Sequence, residues 1–147
     1  MSQNNGARKL ERVKESAKQC LKYGLWIMTF GTVIIFLFAK YLMMIFTKDQ
    51  QVITIGTQYL TIAAFLTWAY VIMFTNISVL QGLKKPMFAL WIGLGRQIIA
   101  PTVVFYVLAH VLGLELLGIW LGISIINWTA ALITIYYTKK TLDNLHN

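Results

Sequence analysis

Charge is scarce in this sequence of 147 residues, and acidic charge scarcest: five Asp and Glu stand against thirteen Lys and Arg, together 12% of the chain. A soluble domain carries about a quarter charged residues, so the composition argues against a water-soluble globular enzyme. A single cysteine, Cys20, excludes an intrachain disulfide and any cysteine-based metal cluster. A glycine-rich phosphate loop, an HExxH pair, paired catalytic carboxylates and a nucleophile elbow are all missing. Enzyme activity therefore has no basis here, and no residue is assigned a catalytic, cofactor-binding or metal-ligating role.

Hydrophobic residues make up 58% of the chain, and the mean hydropathy is +0.65. The charges are grouped. Between Lys22 and Lys40 lie 17 uncharged residues, between Asp49 and Lys84 lie 34, and between Glu115 and Lys139 lie 23. The 29 residues from Pro86 to Leu114 hold one formal charge, Arg96. A helix crosses the hydrocarbon core with about 20 apolar residues, so four crossings account for most of the chain. The expected fold is an all-α membrane protein with four transmembrane helices.

Residues 1–22 read as a basic amphipathic cytoplasmic segment, with Leu10, Val13, Ala17 and Leu21 on a narrow apolar stripe. Residues 23–137 form the four-helix region, with helices at about 23–46, 52–81, 86–112 and 116–137. Residues 138–147 form a polar cytoplasmic tail. The run from Tyr23 shows no signal-peptide cleavage site and is read as a retained first crossing. Pro86 suits the first turn of the third helix, whereas Gly93, Gly95 and Pro101 should interrupt and bend it.

Four crossings put both termini on one side. Ten of the thirteen Lys and Arg then fall on that side, in the leading segment, at Lys84 and Lys85, and at Lys139 and Lys140. The positive-inside rule makes that side cytoplasmic, giving a multi-pass protein of the cytoplasmic (inner) membrane with both termini inside. This topology explains the net charge of +8 with the lipid bilayer as partner and without nucleic acid.

Arg96 lies about ten residues, roughly 15 Å, into the third helix. It either snorkels to headgroups or faces a cavity. Polar residues on the second helix, among them Gln58, Thr61, Thr75 and Asn76, either line a polar cleft or hydrogen-bond between helices. With Arg96, Pro101 and Asn127 they form the set of candidate cavity-lining or packing residues. Gly118-Ile-Trp-Leu-Gly122 has the small-xxx-small spacing of a helix-packing face. Trp91 and Trp120 suit the two interfaces. No Asp or Glu lies deep in a span, so this segment lacks the carboxylate that a coupled carrier needs.

The order of these segments resembles the C-terminal part of the multidrug and toxic compound extrusion (MATE) transporters. The opening SQNNGARKLERVKESAK is similar to the cytoplasmic stretch after that family's eighth helix. Phe46-Thr-Lys-Asp49 with QVITIGTQYL resembles its "F-x-x-D" loop and tenth helix. Val79-Leu-Gln-Gly82 with Lys85-Pro-Met87, then Arg96-Gln-Ile-Ile-Ala-Pro101, resemble the approach to the eleventh helix and that helix itself. Gly113-Leu-Glu-Leu-Leu-Gly-Ile-Trp120 resembles the entry to the twelfth. Where the family often has a second glycine, this chain reads Gly82-Leu-Lys-Lys85, and its second helix lacks the acidic residue some branches use for cations.

The resemblance implies helices nine to twelve, a partial C-terminal lobe of a twelve-helix antiporter coupled to H+ or Na+. Amphipathic or cationic small molecules would be its substrates and the missing N-terminal helices its partners, and the piece should be inactive alone. The competing readings are a small non-transporting four-helix protein acting through a partner at Gly118 and Gly122, and a fragment of a lipid-linked oligosaccharide flippase. A dimeric four-helix drug pump would resemble its kind in carrying a glutamate in the first helix, which is absent here.

Overall fold

The structure, a computed structural model, describes residues 10–144. Helix α1 covers Leu10–Phe46 and α2 covers Gln50–Gly82. The third span is composite: α3 (Pro86–Leu94), a π-helical stretch (Gly95–Ile99), α4 (Ala100–Phe105) and a second π-helical stretch (Tyr106–Val111). Helix α5 covers Glu115–Asn144. All four spans are long and apolar enough to cross a bilayer, and the chain is a multi-pass membrane protein.

Helix α2 sits between α1 and α5, and the third span leans mainly on α5. Small residues bring α2 and α5 close together at the core. Ala69 and Met73 of α2 meet Ala130 and Ala131 of α5, each almost fully buried. Without water to drive burial, close approach of backbones over small side chains is what holds membrane helices together. Many large side chains face outward: Trp26, Phe30 and Phe46 are 70%, 70% and 82% exposed, as suits a surface bathed in lipid tails. Between α1 and α2, Thr32 Oγ1 lies 3.0 Å from both Ala64 O, to which it donates, and Thr67 Oγ1.

Helix α1 is continuous from Leu10, so the basic segment and the first crossing are one rod. Nothing between Lys18 and Tyr23 breaks a helix. Its first turns are held to the bundle by Val13, 1% exposed against Val79 and Leu83. Likewise α5 runs on through Lys139 and Lys140 to Asn144. The Gln3-Asn4 and Gly6-Ala7 of the family-like opening, Arg8, Lys9 and the last three residues of the tail lie outside the described residues.

Each turn has a local cause. Asp49 caps α2: its Oδ1 accepts from the backbone N–H of Gln51 at 2.8 Å and of Val52 at 3.4 Å. That satisfies donors the first helical turn leaves orphaned, and it gives the Phe46-x-x-Asp49 pattern a physical role. Asp49→Ala is expected to cost about 1 kcal/mol of stability; an unchanged unfolding midpoint in detergent would contradict this.

Helix α2 ends in a Schellman arrangement, with Lys85 N–H bonded to Leu80 O at 2.9 Å and Lys84 N–H to Gln81 O at 3.0 Å. The geometry needs a left-handed residue, and Lys84 supplies it at φ 62°. A side chain there costs about 1–2 kcal/mol relative to the right-handed region, a penalty glycine escapes. Lys84→Gly should therefore raise stability by up to about 1 kcal/mol, read as a higher unfolding midpoint. A lower midpoint would mean that the lysine head contributes more than its backbone strain costs.

Candidate functional site

The third span does not break at its glycines and proline. It widens. The π-helical stretch Gly95–Ile99 ends at Ala100, whose N–H reaches Gly95 O. Pro101 follows at once; it has no N–H to give, and its ring would crowd the carbonyl four residues back. A local π turn relieves both problems, and such bulges recur at functional sites. It also changes which residues face inward. Five residues apart, Arg96 and Pro101 would point roughly 140° apart on a regular α-helix; across the wider turn both line one cavity of about 160 Å³ with Tyr70, Phe105 and Asn127.

Arg96 Nη1 donates to Asn127 Oδ1 at 2.9 Å. Asn127 Nδ2 in turn donates to Ile123 O at 2.7 Å, which fixes the amide with its oxygen toward the guanidinium. The Tyr70 ring of α2 completes the setting, its centroid 5.8 Å from the guanidinium carbon, within cation–π range. Arg96 Nε is buried with no hydrogen-bond partner. The described carboxylates, Glu11, Glu15, Asp49, Glu115 and Asp143, all sit at or near helix ends or in turns, so the guanidinium is answered only by neutral groups. On its other side a groove of about 460 Å³ runs between the third span and α5, walled by residues such as Trp91, Ile99, Val103, Ile125 and Ile133.

The remaining sequence candidates lie elsewhere. Gln58 and Thr61 line a separate groove of about 490 Å³ between α2 and the start of α5, with Leu117 and Trp120. Thr54, Thr57 and Thr61 donate to their own helix four residues back at 2.7–2.9 Å, so their hydroxyls are locally satisfied. Asn76 does the same, to Ile72 O at 2.7 Å. Thr75 is buried with its Oγ1 3.8 Å from Cys20 Sγ of α1. Thus the candidates fall into three places: Gln58 and Thr61 share one groove, Thr75 and Asn76 are buried along α2, and Arg96, Pro101 and Asn127 are brought together around one cavity. Tyr70 is the residue that sequence reasoning missed, because an aromatic on an apolar helix carries no mark of what faces it.

Gly118 and Gly122 are buried against the third span. A Cβ on Gly118 would stand 2.8 Å from the Leu108 carbonyl carbon and oxygen, and one on Gly122 would stand 2.8 Å from Phe105 Cδ1. This face is occupied within the chain. An external partner bound through it would have to displace the third span.

The model of the MatE family matches residues 1–107. A comparison with curated proteins gives no match. Among solved structures, a multidrug resistance MATE family transporter of the MOP superfamily, in its inward-facing conformation, is similar over 99% of this chain with a TM-score of 0.91 and 20% identity. At that identity the likeness establishes the fold. The chain spans 34% of that transporter's length. The family match covers well over half of the chain, and the fold agrees with it: this chain belongs to the MatE family.

Proposed function

We propose that this chain is part of a multidrug efflux antiporter, contributing helices nine to twelve of its C-terminal lobe. Cation exchange, with H+ or Na+, drives export of amphipathic or cationic compounds from a cytoplasmic membrane in which both chain ends are cytoplasmic. The observation that carries this is the joint result of the family match and a 99% structural overlay that uses only 34% of a transporter. The matched protein is described as a multidrug resistance transporter, and this chain has the fold of one third of it.

Transport by alternating access needs two opposed bundles about a midplane site, and four helices supply part of one. The described carboxylates lie at or near helix ends or in turns, none deep in a span, which supports a coupling residue on other helices of the longer protein. The chain alone is therefore expected not to transport. Cells expressing only these 147 residues should show drug accumulation equal to that of empty-vector cells. Efflux abolished by collapsing the ion gradient, in cells with no other added protein, would overturn the reading.

A further inference from the structure

Arg96 is a cation in the middle of a membrane span, and the described residues offer it no anion. Its Nη1 is spent on Asn127, its face on Tyr70, and its Nε is buried without a partner. A charge in the hydrocarbon region persists where it is paired or functional, and a buried donor left unmade carries its full desolvation cost. Beside it lies a groove of about 460 Å³ whose lining, Arg96 and Thr129 apart, is apolar. That volume falls in the range of small-molecule sites, about 300–1,000 Å³.

A permanent cation at the edge of an apolar trough is complementary to one chemistry, an anionic head on a hydrophobic body. We infer that the Arg96 groove binds a lipophilic organic anion that arrives through the bilayer. The acid group sits on the guanidinium, and the apolar body lies along Ile99, Val103, Ile125 and Ile133. The Arg96–Asn127 hydrogen bond holds the guanidinium in place for it. The tertiary setting also fits arginine better than lysine, since a guanidinium can serve Asn127 and a carboxylate or sulfonate at once. This goes beyond the transporter reading, to which it adds a substrate class distinct from cationic drugs.

The test is an equilibrium titration of a full-length transporter containing this segment in phosphatidylcholine nanodiscs, with empty nanodiscs subtracted. The probes are 1-anilinonaphthalene-8-sulfonate and N-phenyl-1-naphthylamine, which share a ring skeleton and differ by the sulfonate. Loss of a charge-assisted contact is worth about tenfold or more in affinity. Arg96→Met should therefore weaken the sulfonate probe about tenfold and leave the neutral one within about twofold. Val103→Trp, at a position 59% exposed and so tolerant of bulk, should fill the trough and weaken both while leaving Arg96 intact.

Equal sulfonate affinity for the native chain and Arg96→Met would overturn the inference. So would displacement of the probe by a small mole fraction of phosphatidylglycerol, which would make the occupant a membrane lipid. No saturable sulfonate binding by that transporter would also overturn it, since the guanidinium's partner would then be a carboxylate on another helix. Binding without export in that longer protein would fail the transport reading alone.

Discussion

Replacing Gly118 with leucine should be among the most damaging substitutions in this chain, lowering stability by about 3 kcal/mol, the upper part of the usual overpacking range. The cause is the kind of atom in the way. A Cβ at Gly118 meets the Leu108 carbonyl at 2.8 Å, and a backbone cannot swing aside as a side-chain tip can. The third span would have to move off α5, which is its main support. Gly93 provides the contrast. Nothing lies within 4 Å of a Cβ there, so Gly93→Ala should be neutral or stabilising by up to about 1 kcal/mol through helix propensity. Unfolding midpoints in detergent check both. Similar effects from the two substitutions would mean that the third span does not rest on Gly118.

Arg96 is expected to trade stability for function. Arg96→Leu removes a guanidinium whose presence at the centre of a span is unfavourable by about 2.5–3.5 kcal/mol on insertion scales. It also gives up one interhelical hydrogen bond, worth about 0.6 kcal/mol in membranes. Removing the desolvated charge should therefore raise the unfolding midpoint of the variant in detergent. In a full-length transporter containing this segment it should cut export of a lipophilic anion about tenfold or more, the weight of one charge-assisted contact. Gain of stability with loss of export is the signature of a residue retained for function. Loss of stability, with export unchanged, would mark Arg96 as a structural pin for Asn127.

The four spans were legible because bilayers impose a length on uncharged runs, and those runs stand out between Lys22 and Lys139. Span ends were less so. The start of α2 at Gln50 follows from Asp49, whose capping role depends on backbone N–H groups that no hydropathy count sees. Helix α1 starts before the expected first crossing, at Leu10, and α5 runs on to Asn144, because Lys and Thr are compatible with a continuing helix even where they leave the hydrocarbon. The third span shows the clearest difference. Gly93, Gly95 and Pro101 promise an interruption, and the chain instead absorbs the missing donor of Pro101 by widening into a π turn. That turn is what brings Arg96 to the same side as Pro101.

Which helices would meet was not legible. Tyr70, Arg96 and Asn127 lie on three different spans, and each alone is an ordinary membrane residue. Their meeting depends on helix order and rotation, which periodicity within one helix does not encode. The Gly118 and Gly122 spacing did announce a close approach. It could not say that the neighbour would be Leu108 and Phe105 of the same chain.

These four helices are proposed to work as part of a longer transporter. The most direct test is the mass of the native polypeptide, read from a C-terminal tag placed at the chromosomal gene and an immunoblot of the membrane fraction. Since the chain covers 34% of the transporter it matches, a band about three times heavier than 16.8 kDa is expected. A stable band near 16.8 kDa would contradict it, and would make a four-helix protein that works without the remaining lobe the reading to pursue.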